Sequence, residues 1–223
     1  MEKDEKAVAL VSGGMDSAVA AGLVREQGYR IYALSFNYGQ RHRVELKAAR
    51  RVVEWLDAAE HKVVRIELDK IGGSALTGDI PVPKDGVGGG IPVTYVPSRN
   101  IIFLSIALSW AEVIGAEAIV IGANAIDFSG YPDCRPEFIA AFQKTAEAGT
   151  KMGVEGRAPR ITAPLMKMSK AGIVKEGVRL GLDFGRTFSC YDPHPGLKPC
   201  RRCDACRLRA KGFAEAGVKD PLA

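Results

Sequence analysis

Apolar positions in the first half of the chain follow two rhythms. Ala7–Val11 (AVALV), Ile31–Phe36 (IYALSF), Val63–Leu68 (VVRIEL) and Ala118–Gly122 (AIVIG) are short, aliphatic runs, which predicts strands buried on both faces. Between the second and third runs, Leu46, Ala49, Val53 and Leu56 recur at helical spacing. Ile101, Leu104, Leu108 and Ala111 repeat that spacing before the fourth. Strands alternating with amphipathic helices predict the α/β class, a doubly wound parallel sheet with helices on both faces. Further helices are expected after Pro136 (EFIAAFQKTAEAG) and after Ser169, which suits an N-cap (KAGIVKEGVRLG).

The rhythm breaks over residues 71–97. Gly86, Gly88, Gly89 and Gly90 and four prolines (Pro81, Pro83, Pro92, Pro97) oppose regular structure there. A connection of that length in a compact domain is usually functional or disordered, and a mobile lid is the expectation.

Directly after the first strand stands Ser12-Gly13-Gly14-Met15-Asp16-Ser17, followed by a helical run from Ala18. Glycines let the backbone approach an anion closely, and the first N–H groups of the helix point at it with the helix dipole behind them. Ser12 and Ser17 can add hydroxyl donors. An acid at position 16 is out of place beside phosphates unless it holds magnesium or orients the loop, and a purely structural turn has no need of it. The string is neither a Walker loop nor G-x-G-x-x-G. In its strand–turn–helix setting it resembles the pyrophosphate loop of the PP-loop ATPases. That resemblance implies cleavage of ATP between the α- and β-phosphates and adenylation of a substrate oxygen. The nucleotide stretch is taken as Leu10, Val11, Ser12, Gly13, Gly14, Met15, Asp16, Ser17, Ala18, Val19 and Ala20.

Composition narrows the class. The chain of 223 residues is long enough for a full core, with Lys+Arg 31 against Asp+Glu 26, a mild excess that suits an anionic substrate. No apolar run approaches the roughly 20 residues of a membrane span, and MEKDEKAVALVSGG lacks the layout of a signal peptide, so a cytoplasmic protein is expected. The basic residues are dispersed apart from Arg201, Arg202, Arg207, Arg209 and Lys211, which read equally well as a solvated face or an anion site. Cys190, Cys200, Cys203 and Cys206 have the spacing C-x9-C-x2-C-x2-C. Four thiolates make a closed structural zinc site with no position for catalytic water. An iron–sulfur cluster is the alternative, and the compact knuckle favours zinc. His194 is read as a loop residue. The tail from Arg207 has few apolar residues, so metal is expected to supply much of its folding energy. Two units are expected: residues 1–186, the ATP-binding domain, and residues 187–223, the four-cysteine segment.

Four further strings, Phe36–His42 (FNYGQRH), Thr94–Asn100 (TYVPSRN), Asp127–Phe138 (DFSGYPDCRPEF) and the tail from Thr187 to Phe213, complete a resemblance to the 7-cyano-7-deazaguanine synthase family over nearly the whole chain. Ser98 stands where that family more often has glycine, and Phe188 where it often has tryptophan. The resemblance implies an adenine-nucleotide α-hydrolase-like sheet and a homodimer. The implied reaction lies in queuosine biosynthesis, with 7-carboxy-7-deazaguanine, ammonia and ATP giving the 7-cyano base. No membrane or direct nucleic-acid partner is expected. Expelling two oxygens from a carboxylate suggests two adenylations, acid to amide and amide to nitrile. Ser12, Gly13, Gly14, Asp16 and Ser17 are the expected pyrophosphate and magnesium site. Asp16, Arg99 and Lys170 are the catalytic candidates, the two cations sitting where helix starts disfavour them. Asp127, Tyr131, Asp133 and Arg135 are candidates for the base pocket, although Gly130–Asp133 would also make a respectable turn. Gln40, with Arg41 and His42 behind it, follows a strand end, where ligands of open sheets gather. His61 is expected at the surface.

Two rivals remain open at this stage. A sulfurtransferase of the same class would need a persulfide thiol, for which Cys134 is the spare cysteine. A zinc-knuckle nucleic-acid module would use the basic tail and leave the phosphate loop without a purpose.

Overall fold

The computed structural model describes residues 5–42, 44–84, 90–124, 130–195 and 198–223. Five strands, β1 (Lys6–Leu10), β2 (Arg30–Asn37), β3 (Glu60–Arg65), β4 (Ala118–Val120) and β5 (Arg160–Thr162), form one parallel sheet in the order β3-β2-β1-β4-β5. In each central strand, alternate side chains enter opposite layers, as the period of two requires. Ala7, Ala9, Ile31, Ala33, Ala118 and Val120 face one core, and Val8, Leu10, Leu34, Phe36, Ile119 and Ile121 face the other. Helices α1 (Met15–Glu26) and α2 (Val44–Leu56) cover the first layer. Helices α3 (Arg99–Ile114) and α4 (Pro136–Gly149) cover the second, and the short α5 (Lys151–Val154) follows. Helix α6 (Lys170–Arg179) returns to the first layer beside α7 (Asp204–Ala216). The sheet is doubly wound, and its order reverses between β1 and β4, where open α/β sheets leave a crevice at the strand ends.

The predicted helix starts hold. Pro136 occupies the first turn of α4, and the Ser169 hydroxyl accepts from Gly172 N at 3.1 Å as the N-cap of α6. Two expectations are corrected, and one strand was not expected. The third strand ends at Arg65 rather than Leu68 and is a half-exposed edge, with Val63 45% exposed, so burial on both faces does not apply. Leu68 is buried instead in a 3-10 turn (Leu68–Lys70). The fifth strand, three residues of RIT, carries too short a pattern to read. Ile101 lies on the outer side of α3, whose buried face is Asn100, Leu104, Ala107, Leu108, Trp110 and Ala111.

The lid expectation changes as well. Residues 85–89, which include Gly86, Gly88 and Gly89, lie outside the described residues. Within the rest of residues 71–97, Ser74, Ala75, Leu76, Thr77, Val82, Thr94 and Val96 are buried against the body. Ser74 and Ala75 are fully buried, Ala75 N donates to Val93 O at 2.8 Å, and Arg41 N donates to Leu76 O at 3.1 Å. Thr94 Oγ1 and the Tyr131 hydroxyl share a hydrogen bond at 2.9 Å. These contacts anchor residues 74–77 and 93–94 to the body, while Ile71, Ile80 and Ile91 stay exposed.

Arg209 leaves the basic surface that the sequence suggested. It is 5% exposed, and its guanidinium makes two 2.8 Å bonds to the Asp220 carboxylate and a third to Thr187 Oγ1. Phe213 packs edge-on to Phe184 in the layer under α1. The tail is therefore held by a buried ion pair and an aromatic contact as well as by the cysteines.

Candidate active site

The phosphate loop leaves β1 at the sheet's switch point and turns into α1 within four residues. Its hydroxyls form a closed chain. Ser17 Oγ donates to Gly14 O at 3.1 Å and accepts from Ser12 N at 3.2 Å and from the Ser12 hydroxyl at 3.0 Å. Gly14 N in turn donates to Ser12 Oγ at 3.3 Å. Gly13 has φ +85°, and a Cβ there would lie 2.5 Å from Glu45 O and 2.6 Å from Ala49 N, so only glycine lets the loop lie against α2. Gly14, the N-cap of α1, has no side chain to satisfy the first N–H groups, which leaves the positive end of the helix open to an anion.

A cavity of about 280 Å³ opens in front of this loop. Asp16 and Lys170 meet at its edge, Lys170 Nζ donating to Asp16 Oδ2 at 2.5 Å. Asp16 Oδ1 is buried with no hydrogen-bond partner among the described residues, so one acceptor of this cavity-lining carboxylate is unsatisfied. Arg99 enters from the start of α3, with its guanidinium 5.9 Å from the Tyr38 ring. Ser98 before it adopts a left-handed φ of +56°, which is the physical reason glycine suits this position.

The nucleotide residues divide by face. Leu10, Val11, Ser12, Gly14, Met15, Asp16 and Ser17 line the cavity. Gly13 backs the loop, and Ala18, Val19 and Ala20 are fully buried behind it in the core. Gln40 lines the cavity while bracing its own turn, accepting from Tyr38 N at 2.8 Å and donating to Phe36 O at 3.2 Å. Tyr131 also lines it. Asp133 is buried away from it, where its carboxylate accepts from Asn100 N at 2.9 Å and caps α3. Arg135 is an exposed residue at the N-terminus of α4, outside the cavity lining. Asp127 lies outside the described residues. Arg41 and His42 are near Ile80 and Asp192, away from the cavity. His61 is half-buried: its Nε2 is 2.9 Å from Ser35 Oγ, whose proton goes to Val11 O at 2.6 Å.

Sequence reading passed over Glu45, Tyr38, Phe103, Asn100 and Tyr191, all of which line the cavity. Only Tyr38, Asn100 and Tyr191 stand in strings already singled out. Glu45 reads in the sequence as an ordinary charged residue at a helix start. Burial pushes its carboxyl up to about 7 against the pull of Arg99. Burial also pushes the Cys134 thiol up to about 11, with Asp133 adding to it, while Asn100 Nδ2 lies 3.2 Å from its sulfur.

Beside the cavity, Cys190, Cys200, Cys203 and Cys206 are buried with their sulfurs all within 4.8 Å of one another. A tetrahedral ion with metal–sulfur bonds of about 2.3 Å needs a sulfur–sulfur edge of about 3.8 Å, so this cage fits a single metal. Backbone N–H groups of Cys200 and Cys203 point at the sulfurs of Cys190 and Cys200 (3.2 and 3.3 Å), which favours thiolates. The cage packs on Val44, Ala48, Ala75, Val82 and Phe188, and Phe188 N donates to Gly13 O at 2.8 Å. The cysteine segment thus holds the phosphate loop from behind.

Solved structures with a comparable fold include NMN synthetase from Francisella tularensis (17% identity, TM-score 0.52, covering 97% of this chain and 78% of that one). A 4-thiouridine synthetase–RNA complex with bound ATP is similar at 19% identity and TM-score 0.51, covering 94% of this chain and 53% of the other. At those identities the likeness concerns the fold. Closer relatives are the 7-cyano-7-deazaguanine synthases of Geotalea daltonii, 59% identical over 98% of this chain and 96% of the relative, and of Saccharophagus degradans, 60% identical over 98% and 97%. The family model described as queuosine biosynthesis protein QueC matches residues 6–217. Similarity at that level from one end to the other is inheritance rather than a shared scaffold, and the chain belongs to the QueC family of queuosine biosynthesis proteins.

Proposed function

We propose that the protein is an ATP-dependent carbon–nitrogen ligase that converts 7-carboxy-7-deazaguanine and ammonia to 7-cyano-7-deazaguanine. The supporting observation is the opening of the Ser12–Ser17 loop onto the same cavity as Asp16, Lys170 and Arg99 in a chain of this family. In this reading a carboxylate oxygen of the base attacks the α-phosphorus of ATP and pyrophosphate leaves. Ammonia displaces AMP from the acyl-adenylate and gives the amide. The amide oxygen is adenylated in the same way, and loss of AMP and protons leaves the nitrile. The open N–H groups of α1 hold the departing pyrophosphate as fixed donors that stabilise developing charge without reorganisation, and the Ser12 hydroxyl joins them by turning its proton from Ser17 to the ligand. Lys170 and Arg99 supply the cations, Arg99 at the substrate carboxylate.

Magnesium fits the unpartnered Asp16 Oδ1 and would neutralise phosphate charge there. Zinc is the metal assigned to Cys190, Cys200, Cys203 and Cys206, where it closes residues 187–223 against the ATP-binding domain of residues 1–186. Gln40 and Tyr131 are base-pocket residues in this account, with Asp127 a further candidate. Asp133 and Arg135 act on the pocket through the start of α3 and α4. A homodimer and a cytoplasmic location complete the proposal on the family resemblance. Among the described residues no helix is long and apolar enough to cross a membrane.

The test is turnover. Zinc-loaded protein with MgATP, ammonium and 7-carboxy-7-deazaguanine should yield the nitrile by mass spectrometry, with the amide seen transiently. An unchanged base beside bound ATP would overturn the assignment.

A further inference from the structure

Two acidic side chains line the cavity among the described residues, Asp16 and Glu45. Asp16 is committed to the phosphate side by Lys170. Asp133, which sequence reading offered for the base, is spent on the backbone of Asn100. Glu45 reaches the cavity from the first turn of α2, and its carboxylate makes no hydrogen bond or ion pair with any described residue. The cavity it lines is also lined by Phe36, Tyr38, Phe103 and Tyr191. Tyr38 and Tyr191 feel its charge, and Phe103 stacks on Phe36 with centroids 3.8 Å apart and tilts against Tyr38 at 5.5 Å. Arg99 feels it too, yet they do not form an ion pair.

A half-buried carboxylate without a donor costs stability unless a ligand supplies one. Flat aromatic walls suit a planar heterocycle, and two acceptor oxygens suit a pair of adjacent N–H donors. A 2-amino-4-oxopyrimidine ring presents that pair, N1–H beside the exocyclic amine. An adenine-type edge would set a lone pair against the carboxylate.

Resting on the function proposed above, we infer that Glu45 reads the N1–H and 2-amino edge of the deazaguanine base and sets the enzyme's specificity for it. Arg99 then lies on the carboxylate side of the bound base and Glu45 on its opposite edge. The raised proton affinity of Glu45 in the free protein accords with this, since the N–H donors of the base would favour the ionised carboxylate.

The experiment compares wild type, Glu45→Gln and Glu45→Asp on the 7-carboxy base and on its analogue lacking the 2-amino group. A bidentate edge contact is worth roughly 1–3 kcal/mol, or about 5–150-fold in kcat/KM. Wild type should prefer the full base by about that factor. Glu45→Gln should lose about 100-fold on the full base, mainly through KM, and discriminate the analogue by less than about 5-fold. Glu45→Asp, which keeps a carboxylate, should retain most of the discrimination. Unchanged ATP affinity in Glu45→Gln reports an intact fold. If Glu45→Gln discriminates as wild type does, or loses kcat at constant KM, this assignment falls while the function stands. If wild type leaves the base unchanged, both fall together.

Discussion

Replacing Glu45 by glutamine should make the free protein more stable at alkaline pH. The carboxyl has an ordinary value of 4.5, and burial raises it to about 7 in the fold. The folded state therefore holds its proton more tightly than the unfolded one. Between those values the unfolded chain has fewer protons bound, so stability falls as pH rises through the window, and the cost is complete above it. Each tenfold change in proton affinity is about 1.4 kcal/mol, which sets an upper figure of about 3.4 kcal/mol. Water entering the cavity reduces this to roughly 1–3 kcal/mol. Glutamine has nearly the same shape and no charge to bury. In a chain of this length such a gain raises the melting temperature by about 3–9 °C. The assay is thermal unfolding of both proteins at pH 8 and pH 5.5, at matched metal loading. The variant's advantage should fall at pH 5.5 to less than half its value at pH 8. A variant less stable than wild type at pH 8, or an advantage that ignores pH, would refute the buried-charge reasoning.

Other perturbations read different parts of the site. Gly13→Ala forces a left-handed residue, at about 1–2 kcal/mol, and drives a methyl into the backbone of α2. ATP affinity by calorimetry should fall more than tenfold while the circular dichroism of the sheet persists. Removing the metal with a strong chelator should lower the melting temperature by more than about 10 °C and abolish ATP binding together with it, because Phe188 ties the cysteine segment to Gly13. Cys134→Ser should keep most of its turnover, since burial holds that thiol protonated near neutral pH. Abolished turnover would instead favour persulfide chemistry.

Much of this arrangement is legible from residue order, for reasons that differ by element. Strands β1, β2 and β4 are buried on both faces and show as unbroken aliphatic runs. The phosphate loop shows because glycine pairs and hydroxyls in that order serve few other purposes. Its depth does not: Ala18, Val19 and Ala20 continue the string but face the core, as helical geometry turns them away from the ligand. The four cysteines show by spacing alone, whereas their packing on α2 and behind Gly13 depends on long-range contacts. The aliphatic run that announces β3 belongs partly to the turn after it, so the strand's start and its exposed edge do not show, and three-residue β5 is too short to read. Asp133 looks like a ligand in the sequence because a helix cap and a binding carboxylate use the same residue types. Glu45 is invisible for the converse reason, since its significance lies in the cavity it shares with Tyr38, Phe103 and Tyr191. Arg209 illustrates the same limit: within a run of cations, only the fold singles out the one that Asp220 buries.

The central claim is that this site removes both carboxylate oxygens by adenylation, and isotope transfer tests it directly. With 7-carboxy-7-deazaguanine carrying oxygen-18 in both carboxylate positions, mass spectrometry of the nucleotide products should find one labelled oxygen in each AMP and two labelled AMP for every nitrile formed. Label appearing in inorganic phosphate with ADP, or AMP emerging without label, would contradict it.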